Sequence, residues 1–339
     1  MFMNKISSIN KLFLTTLLLF GLYVPMGAGA SSEVQENNEE RNFATGINPA
    51  ITTLDDGRIF VAYEKDDQLF TQVGTPTSHE VEWTDPLTFE RKGDWQNPSL
   101  EVAEGMVYLT HTDKNPSSPI VYYNVGEVAI DGSVDWVVKL HWGNIVGEGK
   151  KYHLVNLKNN PTKHNMISIV SSHKGYIYGL EGWTTSTYFM YTNGIKMQNE
   201  RGVNPSITSI NGKSVLQINQ GYGDQFLYYK FGEMTTEEGR IEWSTPFIYD
   251  HGFDPVAIQL ENNHILEAHG LTGNITTYSL GTIQGDNIDF YNKDNLLALG
   301  YNHDLSLLND GRVIDVYENG EGQLYYQLGR YVDGNMEWF

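Results

Sequence analysis

Six places in the chain set an amide, an acid or a base two residues after a small or aromatic one, in most cases just before proline. They read GINP (46–49), WQNP (95–98), GKKY (149–152, the weakest copy), GVNP (202–205), GFDP (252–255) and GYNH (300–303). Their third residues are Asn48, Asn97, Lys151, Asn204, Asp254 and Asn302. A second set stands at the ends of apolar segments that follow each turn: Tyr63, His111, Ser171, Asn219, His269 and Tyr317. If both sets converge on one face, they offer planar donors and acceptors beside aromatic rings. That combination suits an uncharged sugar, whose hydroxyls need such partners and whose C–H face packs on a ring. The competing explanation for the Asn/Asp set is turn chemistry, because these side chains bond their own backbone. For the histidines it is a hydrogen-bonded structural role. Neither His111 nor His269 has another ligand at the short spacing zinc motifs use, so no metal site is expected.

The elements that must position these residues repeat. A phrase ending in glycine recurs as LFTQVG (69–74), VYYNVG (121–126), LYYKFG (227–232), TTYSLG (276–281) and LYYQLG (324–329), with a degenerate copy from Tyr176. Between turn and phrase lies a strand-like run such as RIFVAYE or RVIDVYE, and after the phrase comes an acid with an aromatic: VEW, VDW, IEW, IDF, MEW. Successive turns are 48 to 54 residues apart. Four short strands per unit at a period near fifty predict a six-bladed β-propeller of four-stranded antiparallel blades. Tyr-Tyr pairs in the phrase are read as core between blades. The last unit stops at Phe339 without the segment that follows IEW in the fourth unit, while ERNFATG (40–46) precedes the first unit as an orphan of that kind. The N-terminal strand should therefore complete the last blade and close the ring.

Residues 1–30 have a basic start, an apolar run and Ala28-Gly29-Ala30, and are read as a signal peptide cleaved before Ser31. Residues 31–42 are a polar lead-in and 43–339 a single propeller domain. The reading is a secreted, extracellular protein. With no cysteine, the domain must be stable from its core alone. A formal net charge of −20 argues against nucleic acid and anionic membranes as partners, and no membrane insertion is expected. The acidic excess is read as solubility; calcium held by clustered carboxylates is the alternative, and no other cofactor is expected.

The repeat, and NPAITTLDDGRIFVAYE (48–64) in particular, resembles the sialidase-like superfamily of glycan-handling propellers. It is similar as well, at the level of fold, to lectin propellers of the tachylectin and tectonin type. The S-x-D-x-G-x-x-W box and the R-I-P motif of the sialidase-like group are absent, and there are only seven arginines. The resemblance therefore implies a sugar-handling face without the carboxylate clamp of that group. The leading expectation is a non-catalytic glycan-binding protein that takes a glycan or glycoprotein. Its site would draw on Asn48, Tyr63, Asn97, His111, Asn204, Asn219, Asp254, His269, Asn302 and Tyr317. A glycoside hydrolase or lyase using Asp254, Glu64 or Glu318 is the second reading. A protein-binding or toxin-accessory scaffold, with the aromatic stretch at 182–191 as its contact, is the third.

Overall fold

Each glycine-terminated phrase forms a third strand, and the glycine has a steric cause. A Cβ on Gly74 would come within 2.9 Å of the Trp83 ring, on Gly126 within 2.9 Å of Trp136, and on Gly329 within 2.5 Å of Trp338. The aromatic of the fourth strand thus lies flat on the backbone of the third, which only glycine allows. The chain is described by a computed structural model over residues 40–89, 95–113, 121–142, 152–157, 164–171, 175–185, 188–234 and 241–339. It is an all-β β-propeller. Among the described residues the one helix is the short 3-10 turn Glu261–Asn263, and no helix is long and apolar enough to cross a membrane.

The sequence predicts six separate blades of four strands; the described residues form five hydrogen-bonded sheets, of five, four, eight, four and five strands. The first contains Ile47–Thr53, Ile59–Lys65, Gln68–Pro76, Val81–Trp83 and Leu87–Thr88, and the second runs from Trp95–Ala103 to Val134–Trp142. The fourth runs from Phe253–Gln259 to Asn287–Leu299, and the fifth holds Tyr301–Leu307, Arg312–Glu318, Gln323–Val332, Asn335–Trp338 and the N-terminal Arg41–Thr45. One strand accounts for the sheet count. Tyr188–Ile210 runs unbroken for 23 residues, pairing first with Tyr176–Thr185 and then with Ser214–Gly221, so the third and fourth repeats share one sheet. Neither proline nor glycine lies between Gly194 and Gly202 to end the strand there.

Strand counts differ from four because the outer strand is split. Val81–Trp83 and Leu87–Thr88 both pair with Gln68–Pro76, and Ile241–Trp243 and Phe247–His251 both pair with Phe226–Met234. In the fifth sheet the two pieces come from opposite ends of the chain. Asn335–Trp338 pairs with one half of Gln323–Val332 and Arg41–Thr45 with the other. Phe43 of that N-terminal strand stacks on Trp83 of the first sheet, with ring centroids 4.6 Å apart. Between sheets the core continues through aromatic pairs such as Tyr249–Phe290 and Tyr278–Trp338. The arginines of the two DGR turns reach across as well: Arg58 donates to the carbonyls of Ala129 and Val128, and Arg312 to that of Thr77.

The first strand of each repeat lines the axis. Ile51, Leu100, Leu154, Ile207, Ala257 and Leu305 all border one cavity of about 370 Å³. The G-x-N-P segments open these strands, and they are bulges inside them rather than loops between blades. The ladder slips between Ile47 and Ala50, Gln96 and Ser99, Val203 and Ser206, Phe253 and Val256, and Tyr301 and Asp304.

Candidate functional site

The bulge explains the residue type at its centre. Asn48, Asn97, Asn204, Asp254 and Asn302 have φ between 47° and 53°, the left-handed region that Asn and Asp tolerate best among residues with a side chain. The same geometry turns all five inward. Together with Pro49 and Pro98 they line a single axial cavity of about 160 Å³ at the start of the inner strands. The turn geometry and the inward placement of these side chains thus have one cause. Lys151 lies outside the described residues.

Hydrogen bonds join the ring residues in two groups, Asn48 with Asn97 and Asn302, and Asn204 with Asp254. Asn48 Nδ2 donates to Glu64 Oε1 at 2.7 Å, and the same oxygen accepts the Asn97 backbone N–H at 2.6 Å. Glu318 Oε2 accepts the Asn48 N–H at 2.6 Å, Asn302 Nδ2 donates to Asn48 Oδ1 at 2.8 Å, and Asn204 Nδ2 donates to Asp254 Oδ1. Burial holds the Glu318 carboxyl above its ordinary pKa, and the negative charge of Glu64 adds to this. The N–H of Asn48 and the side chain of Asn302 pull the other way without cancelling it.

The outer set behaves differently from expectation. Tyr63, His111, Asn219, His269 and Tyr317 are each exposed by 1% or less, so they are interior residues and not part of an open face. The turn glycines put four of them there. A Cβ on Gly46 would meet Tyr63 at 2.6 Å, on Gly202 Asn219 at 2.2 Å, on Gly252 His269 at 2.5 Å and on Gly300 Tyr317 at 2.4 Å. Four of the five strand-end side chains are thus roofed by the glycine of their own turn; the turn before His111, WQNP, has none. Four of the five have polar partners inside: Tyr63 Oη donates to Gln72, His111 faces Asn124 and stacks on Tyr122, Asn219 accepts from Gln217, and His269 pairs with Glu267. Burial pushes the Tyr63 phenol up to about 12. Ser171 is buried too.

Beside the axial cavity opens a larger cleft of about 470 Å³, sharing Asn204, Asp254 and Asn302 with it and adding Phe253, Ile275, Tyr301 and His303. Tyr301 is 44% exposed, an aromatic surface presented to solvent at the cleft. His303 is 4% exposed; its Nδ1 lies 3.0 Å from both oxygens of the fully buried Asp315, which also accepts from Gln327 Nε2. Tyr317 stacks on the imidazole at 4.8 Å. The other ring nitrogen, Nε2, is buried and has no hydrogen-bond partner among the described residues. The sequence reading overlooked Phe253, Tyr301 and His303. Their signal lay inside the repeat: only GFDP and GYNH carry an aromatic after the glycine, and only the last copy replaces proline with a base. At 182–191 the strands include 182–185 and 188–191; the rest lies outside the described residues, and nothing there speaks to a partner.

No family model and no curated protein matches the sequence. Solved structures do match. The Aleuria aurantia lectin, as a mutant in complex with Fucα1-6GlcNAc, is 11% identical, covering 88% of this chain and 96% of the lectin at TM-score 0.60. The Penicillium chrysogenum α-L-arabinanase complexed with arabinobiose is 12% identical, covering 85% of this chain and 98% of the enzyme at TM-score 0.58. The NanB sialidase of Streptococcus pneumoniae is 9% identical, covering 85% and 68% at TM-score 0.59. At such identities the likeness establishes the fold alone, a β-propeller.

Proposed function

We propose that the protein is a secreted, non-catalytic glycan-binding propeller whose site is the axial ring together with the cleft beside it. The carrying observation is the cleft itself: the exposed ring of Tyr301 stands with Asp254 and Asn302 in one concave surface, with His303 beneath it. The aromatic face takes the C–H side of a sugar, and the carboxylate and amide meet its hydroxyls. Two of the similar structures hold sugars, arabinobiose in one and a fucoside in the other, which supports this class of ligand. Glu64 and Glu318 are engaged as acceptors that hold the ring, which argues against their turning a bound sugar over. A glycosidase is the second reading, favoured by the raised pKa of Glu318, as a general acid would need.

The test is binding of residues 31–339 to a broad glycan array, then calorimetry with soluble hits and chromatography of the mixtures for products. Binding without products is expected, with Tyr301→Ala weakening it about tenfold, the ~1.4 kcal/mol of a lost stacking contact, and leaving Tm unchanged. Cleaved products would make the protein an enzyme. An array with no hits for a folded sample would refute both sugar readings.

A further inference from the structure

Away from the cleft, a second cluster forms where the third and fourth sheets meet. Asp250 belongs to Phe247–His251 of the third sheet, and His269 and Asp294 to His264–Gly270 and Asn287–Leu299 of the fourth. Each offers one ligand atom, and the three atoms lie within 4.8 Å of one another. We propose that these residues bind one divalent transition-metal cation, of the zinc or manganese class, as a staple between the two sheets.

Three observations support a site rather than a chance meeting of acids. The imidazole is preset: the His269 side chain is fully buried, and its Nδ1 lies 3.1 Å from both oxygens of the equally buried Glu267, which also accepts from Tyr249 Oη at 2.8 Å. A carboxylate behind a histidine fixes its orientation and leaves the far nitrogen for a metal. That nitrogen, Nε2, has a long 3.4 Å contact with Thr277 Oγ1. Charge is the second observation. Asp250, Glu267 and Asp294 surround one imidazole, and the nearby cation, Lys293, is a half-exposed ammonium 3.4 Å from Asp250. A divalent ion would offset the excess and displace that flexible side chain.

The third observation is backbone placement. Asp294 stands where the ladder to Ile275–Gln284 slips, with φ of 46° at Asn292 and 58° at Asp294. A bulge re-aims the side chain it carries. One nitrogen and two carboxylates, with water completing the shell, fit zinc or manganese; calcium prefers six to eight oxygens. Gly252 alone separates Asp250 and His251 from Phe253, so the staple would also stiffen the segment that carries Phe253 and Asp254 into the cleft.

The experiment is calorimetric titration of chelator-stripped protein with ZnCl₂, MnCl₂ and CaCl₂, alongside thermal unfolding. Zinc or manganese should bind at one equivalent and raise Tm by several degrees at about a hundredfold excess over Kd. Asp294→Asn, at an exposed position, should keep the metal-free Tm and bind at least tenfold more weakly; Asp250→Asn provides a second variant. Absence of saturable binding by the folded protein, binding of calcium alone, or equal affinity in wild type and both variants would overturn the site.

Discussion

Asn48 shows how much one residue can hold in place. Its backbone adopts φ of 49°, its N–H reaches Glu318, its amide nitrogen reaches Glu64 and its amide oxygen accepts from Asn302. The two glutamates that anchor it are drawn close, and burial together with Glu64 raises the Glu318 pKa. The linkage has a definite sign. A carboxyl with a raised folded pKa contributes stability below its unfolded value, near 4.3, and loses that contribution as pH climbs through the folded pKa. Glu318→Gln keeps an acceptor for Asn48 and abolishes the titration. The Tm of wild type should therefore fall relative to Glu318→Gln as pH rises above the unfolded carboxyl value of about 4.3. A difference that stays constant as pH rises would show that Glu318 does not titrate as described.

At the scale of the element, the repeat is a set of steric contracts between glycine and a neighbouring ring. The phrase glycines carry the aromatic of the next strand, and the turn glycines carry the side chain at the end of the second strand. The consequence reached the candidate site: contact with the roof glycines removed Tyr63, Asn219, His269 and Tyr317 from the surface while the left-handed Asn and Asp stayed on the axis. Two glycines of the last repeat test this. Gly300→Ala would bring a Cβ to 2.4 Å from the Tyr317 ring and 2.9 Å from the Glu318 carbonyl oxygen, and should cost about 1–3 kcal/mol in urea unfolding. Gly320→Ala meets only Tyr301, at 3.5 Å, and should stay within about 0.5 kcal/mol of wild type. Equal losses in both would show that the close approach is not what selects glycine.

For the whole molecule the question is closure. The fifth sheet takes its outer strand from both ends of the chain, and Phe43 packs on Trp83 and Tyr326 as it does so. A protein that begins at Gly46 would leave half of Gln323–Val332 as an open edge and uncover those rings. Such edges recruit other strands. The shortened protein should unfold several degrees lower by calorimetry and elute as oligomers in size-exclusion chromatography. A monomer with unchanged Tm would mean that the N-terminal strand only decorates the ring.

What could be read from the sequence was whatever a local rule demands of each repeat. A period near fifty with four strand-like segments, Asn or Asp at five of the turns and an orphan strand at one end were enough to predict a β-propeller, its closure by the N-terminal strand and an axial ring that includes these five residues. Three things required the tertiary structure. The sheet count depended on whether hydrogen bonding would carry through Tyr188–Ile210, which neighbouring strands decide and local pattern does not. Burial of the strand-end set depended on what each turn folds back upon. The cleft of Phe253, Tyr301 and His303 and the meeting of Asp250, His269 and Asp294 join residues of different repeats or sheets. Spacing along a chain reports contacts within a repeat; distances between repeats are set only when the ring closes.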